Sequence, residues 1–171
     1  MRTLPAFTLP ILLLTLGSAN AQPAKPAPAV PLIPNVVLTG DAAAMVLKQG
    51  SRDAPTHVSG YWTPTQRDIQ SLEAVAPYFL RHETGAPRSD WNHYARQYAG
   101  FVQGGHKMIY VNCAFRRALA HDIQAALKSG GKTVDWRHKA FNICDGGENY
   151  FGMEYDVASH QFHHLSFNGP G

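Results

Sequence analysis

The stretch from Tyr94 to Phe115, YARQYAGFVQGGHKMIYVNCAF, decides the fold. In its second half Ile109, Val111 and Cys113 alternate onto one face and Met108 and Tyr110 onto the other, the period of a strand. Gln103-Gly104-Gly105-His106 reads as the turn before it. The first half is less one-sided, because Tyr94, Tyr98 and Phe101 fit helical spacing as well. Taken as a strand it completes a hairpin, with Ala99-Gly100 marking a bulge or a bend that curves the sheet.

Upstream, the period is helical. Thr63-Pro64-Thr65-Gln66 reads as a capping box with proline at the first helical position. Ile69, Leu72, Val75, Ala76, Phe79 and Leu80 then recur at three-to-four spacing, which predicts a helix over 64–81 with one buried face. Pro77 removes one backbone hydrogen bond and bends this helix; Gly85 and Pro87 end it. A shorter helix over 42–49 follows from Asp41 as N-cap and Gly50 as terminator. Downstream, Leu119, Ile123, Ala126 and Leu127 place a helix over 116–128 before Ser129-Gly130-Gly131.

The last third reads as a three-stranded meander over 139–144, 150–155 and 161–167. In the middle strand Phe151, Met153 and Tyr155 share one face and Tyr150, Gly152 and Glu154 the other, the alternation of a half-buried strand. A helix followed by antiparallel strands is the α+β class. The expected architecture is a curved antiparallel sheet of four to five strands packed on one main helix, in the manner of cystatins, with one or two additional short helices. Which face the 116–128 helix takes is open at this level.

The chain begins with one arginine, an apolar run of about 13 residues and the small residues Ala19-Asn20-Ala21, the pattern of a secretory signal over 1–21. That run is short of the roughly 20 residues that cross a bilayer, and no later segment approaches it. A Pro/Ala-rich linker is expected over 22–35 and one α+β domain over 36–171. The expected location is periplasmic or secreted. Without Arg2, 14 of the 15 basic residues stand against 12 acidic ones, a surplus of about +2. So weak a surplus, with export, argues against nucleic acid as a partner.

From Gly60 onward the chain resembles a family of uncharacterised small exported proteins of Gram-negative bacteria. The resemblance rests on Trp62-Thr63-Pro64, on Tyr94 to Gly100, on Lys107 to Asn112, and on the DGG, YF, YD, F, L, NG pattern between Asp145 and Gly169. It implies a cysteine close to the position of Cys113 in many members. It brings no catalytic residues and no activity.

Two cysteines in an oxidising compartment favour one disulfide, Cys113 to Cys144, closing a loop of roughly 30 residues and contributing about 3 to 4 kcal/mol in the chain-entropy model. Two free thiols and a nucleophilic Cys113 are the alternatives. The latter lacks a neighbouring cation or helix N-terminus in the sequence. Asp145-Gly146-Gly147-Glu148-Asn149 fits neither a calcium loop nor a phosphate cradle, and reads as a glycine-dependent hairpin turn.

Nine histidines raise the question of a metal. His160 and His164 would share a strand face, but a third ligand is missing and no zinc motif occurs, so metal and cofactor are both expected to be none. Tyr94, Arg96, Tyr98, Tyr110, Trp136 and Tyr150 are the candidates for a concave binding face; the alternative is that they fix the sheet internally, with Arg96 paired to an acid such as Glu154. The favoured function is a non-catalytic binding or inhibitory module for a protein or cell-envelope ligand. The alternative is a small hydrolase built from distant groups such as His93 or His106 with Asp90 or Asp145.

Overall fold

The computed structural model describes residues 33–87, 89–132 and 135–170. The expected signal segment and most of the Pro/Ala-rich linker lie outside the described residues. The architecture is α+β: among the described residues a mixed, open sheet of six strands carries three α-helices. In chain order these are β1 (Val36–Val37), α1 (Gly40–Val46), β2 (Val58–Trp62), α2 (Gln66–His82), β3 (Tyr94–Gln103), β4 (His106–Phe115), α3 (Arg116–Lys128), β5 (Tyr150–Asp156) and β6 (Gln161–Phe167). From β3 to β6 the sheet is an antiparallel meander. Along the outer edge of β3, β1 pairs in parallel with Gln97 and Tyr98, and β2 pairs antiparallel further on. The parallel strand makes the sheet mixed rather than purely antiparallel.

Helix α2 lies on one face of the sheet. Leu72, Ala76 and Leu80 bury themselves against Tyr98, Ile109, Val111, Cys113, Phe151, Met153 and Tyr155, the stripe that the three-to-four spacing predicts. Its start differs from the sequence reading. Thr65, not Thr63, is the N-cap, and Asp68 closes the capping box, so Pro64 stands just outside the helix. Pro77 lies within α2, which continues for another five residues to His82.

The opposite face is covered by three separate pieces. Ala43 and Val46 of α1 pack on Ala99, Phe101 and Tyr110. Leu119 of α3 packs on Ala95, Ala114 and Tyr150, which puts α3 on the face away from α2. Between them runs the segment 139–145, of which 139–144 is expected from the sequence as a strand. It forms no strand, because β5 occupies the place beside β4. Its backbone groups are taken by side-chain amides instead. Gln97 Nε2 donates to the carbonyl of Lys139, Gln97 Oε1 accepts from the amide of Phe141, and Asn112 Nδ2 donates to the carbonyl of Phe141. Asn168 Nδ2 donates to the carbonyls of Ile143 and Asp145.

Three local expectations change with this topology. All seven residues of β5 are buried rather than half of them, since both faces of the sheet are covered. Gly100 makes no bulge against β4, where the register is continuous; a Cβ there would strike the Trp62 carbonyl and lie 2.9 Å from Pro64 Cδ, so glycine permits the close approach of β2. Ile33 is buried, and its carbonyl accepts from Arg116, so the packed unit includes the end of the expected linker.

The cysteines are both free. Cys113 points into the α2 face, wholly buried, whereas Cys144 is exposed on the segment that crosses the other face, so the sheet stands between them. No disulfide joins them. Burial pushes the Cys113 thiol well above the ordinary thiol range, the opposite of what a nucleophile needs. Iodoacetamide is expected to alkylate Cys144 in the native protein and Cys113 only after unfolding. A second thiol that appears only after reduction would restore the disulfide.

Candidate functional site

The six candidate aromatic and polar residues divide between the two faces of the sheet. Tyr94, Arg96 and Tyr98 alternate toward α2, while Tyr110 and Tyr150 point the other way, and Trp136 packs beside Phe141 over that second face. Tyr94, Arg96, Tyr98, Tyr110 and Tyr150 are all buried. They make no common concave surface, and their hydrogen bonds are internal.

On the α2 side the acid that meets Arg96 is Glu73, not Glu154. Arg96 Nε lies 3.0 Å from Glu73 Oε1 and its Nη2 3.1 Å from Oε2. Its Nη1 donates to the carbonyls of Trp91 and Tyr94, and the guanidinium stacks 4.2 Å from the centre of the Trp91 ring. Trp91 Nε1 and the Tyr98 hydroxyl donate to the same carboxylate. Burial pushes the Tyr98 phenol up, with Arg96 opposing and Glu73 adding to the rise. Burial likewise raises Tyr94, to about 12. With its donors and acceptors so fully matched, the cluster is a bolt between α2 and the sheet.

On the other face Arg52 reaches into the sheet. Its Nε donates to the Tyr110 hydroxyl at 2.9 Å, its Nη1 to Asn168 Oδ1 and its Nη2 to Asn112 Oδ1. Asn112 hands the network on to Gln97. This cluster too is satisfied, and it anchors the segments 49–53 and 139–145 to the strands.

One buried polar group is not matched. Glu154, in the middle of β5 between Tyr110 of β4 and His163 of β6, has a side chain only 5 % exposed. Among the described residues its Oε2 is the one buried side-chain oxygen or nitrogen without a hydrogen bond. The Nδ1 of His164 stands 3.2 Å away, close enough for charge attraction but off the line of a hydrogen bond. The His164 ring itself is 69 % exposed.

Local structure explains how His164 comes to be there. Phe162, Leu165 and Phe167 all pack on the α2 face, a spacing of three and then two. Regular alternation cannot satisfy that, so one residue must be bulged out. The register of β5 and β6 shifts at this point, and His164 takes positive φ at 51°. The bulge turns His164 toward Glu154. His160, expected on the same strand face, lies in the turn before β6, also at positive φ, with its Nδ1 2.7 Å from the Tyr155 hydroxyl. The two histidines therefore serve different neighbours. Among the described residues no group of three His, Cys, Asp or Glu is placed to hold a metal.

Glu154 and His164 open into a cleft of about 380 Å³ with Asp53, Ala54, Thr56, Gln103, Leu165 and Ser166. Its far wall, the segment 53–56, is pinned at both ends. Ser166 Oγ accepts from the Asp53 amide at 3.0 Å, and Gln103 Nε2 donates to the Thr56 carbonyl at 2.7 Å. No protein-family model, curated protein or solved structure matches the chain. Function has to be argued from the cleft itself.

The cleft was legible only in part. Glu154 is the single acid inside an otherwise aromatic and apolar strand interior, and the odd spacing from Phe162 to Leu165 signals a bulge. Neither signal says that the segment 53–56, a hundred residues away, closes the other side. Of the distant His and carboxylate combinations, His106 meets Asp156, with Nδ1 3.1 Å from Oδ2, rather than Asp90 or Asp145. The His93 backbone amide donates to the Asp90 backbone carbonyl at 2.9 Å, a contact that does not involve the Asp90 carboxylate. His93 and Asp90 line a larger recess of about 610 Å³ together with Pro77, Leu80 and Trp91, and His106 and Asp156 lie outside that lining.

Proposed function

We propose that the chain is an exported, non-catalytic binding module of the bacterial cell envelope, and that the Glu154 cleft is where it takes its ligand. The signal pattern over 1–21 supports export, and the pattern from Asp145 to Gly169 supports kinship with the small Gram-negative exported proteins it resembles. Among the described residues no helix is long and apolar enough to cross a membrane. The observation that carries the binding reading is the buried Glu154 carboxylate in the wall of a cleft, one oxygen of which has no hydrogen bond and only His164 beside it. Burying an ionised carboxylate costs several kcal/mol unless it is paired, and among the described residues every other buried side-chain oxygen or nitrogen has a hydrogen bond.

A hydrolase is the second reading, favoured by one observation, the 3.2 Å approach of His164 to Glu154. A histidine oriented by a carboxylate is half of a nucleophilic site. The other half lacks support: the hydroxyl of Ser166 is engaged with the Asp53 amide, and among the described residues no hydroxyl or thiol hydrogen-bonds the His164 ring.

Amide chemical shifts of the isotope-labelled protein, recorded with the small-molecule fraction of a periplasmic extract, test the first reading. Perturbations at Thr56, Glu154 and Ser166 are expected. An extract that leaves these amides unmoved overturns it. Turnover of nitrophenyl esters that disappears in both His164→Ala and Glu154→Gln would instead establish the hydrolase.

A further inference from the structure

We infer that the Glu154 cleft selects a small primary ammonium ion. This inference rests on the cleft being the binding site and adds the chemical class of what enters it. The lining holds two carboxylates, Glu154 and Asp53, and neither lysine nor arginine. Among the described residues the only ion-pair partner of Glu154 is His164, whose ring stands mostly in solvent. A recess lined by one sign of charge, with its carboxylate largely shielded from water, concentrates the field on that carboxylate. The complement is a cation.

The remaining lining decides which kind. A divalent metal needs several more oxygen or nitrogen ligands converging on one point, and no three such side chains converge among the described residues. An alkylammonium needs less. It presents three N–H donors on a compact head, which the carboxylates of Glu154 and Asp53 and the Thr56 hydroxyl are of the right type to accept once the exposed His164 ring gives way. Ala54 and Leu165 offer an apolar wall for the carbon chain. A volume of about 380 Å³ falls at the small end of ligand pockets, suited to a short amine rather than to a cofactor.

The same geometry separates a binding role for Glu154 from a structural one. If the carboxylate held the fold together through His164, its neutralisation would weaken the protein. If it is kept charged for a ligand, its neutralisation removes a desolvated charge and stabilises the protein.

The test uses the full mature chain and n-butylammonium, with n-butanol as the uncharged analogue of the same shape. Butylammonium is expected to shift the amides of Thr56, Glu154 and Ser166 saturably, and butanol at equal concentration to leave them in place. Glu154→Gln is expected to lose at least about tenfold in affinity while its Tm rises by about 3 °C. A fall in Tm with unchanged butylammonium affinity overturns the inference. So does equal binding of butanol, or periplasmic-extract shifts at the cleft with none from butylammonium, and in both cases the cleft remains the binding site. If neither the extract nor either compound moves these amides, the cleft reading falls as well.

Discussion

Glu73→Ala is expected to lower the unfolding free energy by about 3 kcal/mol, read as a reduced denaturant midpoint at unchanged slope. The loss has an identifiable source. Removing the carboxylate leaves the Arg96 guanidinium, 95 % buried at its side chain, without a counter-ion. It also leaves Trp91 Nε1 and the Tyr98 hydroxyl without their acceptor. Breaking a buried ion pair by deleting one partner costs roughly 3 to 5 kcal/mol. The lower end applies because the Glu73 side chain is 27 % exposed, so water can partly replace it. Two carbonyls and the Trp91 ring still hold Arg96, which limits the damage further. Glu73→Gln, retaining one acceptor oxygen, is expected to fall between the two. A midpoint unchanged in Glu73→Ala would show that the cluster does not bolt α2 to the sheet.

Gly152→Ala is expected to cost a similar amount, about 3 kcal/mol, through overpacking rather than lost charge. A Cβ at this position would stand 2.6 Å from the Tyr110 ring carbon that bears the hydroxyl and 3.0 Å from Arg52 Nε. Neither neighbour can withdraw. Tyr110 is 1 % exposed, and Arg52 is tied to three separate acceptors. The methyl must therefore displace the phenol and sever the Arg52 to Tyr110 hydrogen bond, adding roughly 1 kcal/mol to the steric term. Tyr110→Phe removes the obstructing oxygen, so the double variant is expected to be less unstable than the sum of the single ones. Strict additivity would place the cost elsewhere.

Both positions mark where one-dimensional pattern stops being informative. Gly152 reads in the sequence as one more alternating member of a strand; that it must be glycine depends on Arg52 arriving from a hundred residues upstream. Arg96 in a strand interior signals a buried cation in need of an acid. The sequence reading names Glu154 for that part, and only the placement of Arg96 on the α2 face selects Glu73 instead. The segment 139–145 shows the same limit. The sequence reads 139–144 as a strand, yet pattern alone does not distinguish a strand in a ladder from a chain laid across a sheet. The hydrogen-bonding partner makes that distinction, and here the partners are the amides of Gln97, Asn112 and Asn168.

The sequence by itself determined the α+β class, the α2 stripe, the α3 boundaries and the faces of β4 and β5. All of these rest on interactions between residues near in the chain: capping, periodicity and turn chemistry. Only the tertiary structure decided that Cys113 and Cys144 lie on opposite sides of the sheet, that the candidate aromatic face is two buried faces, and that Glu154, His164 and the segment 53–56 meet in a cleft. Those outcomes depend on which face each long-range segment covers, and a covering segment is chosen by the shape and polarity of a surface that exists only once the sheet has formed.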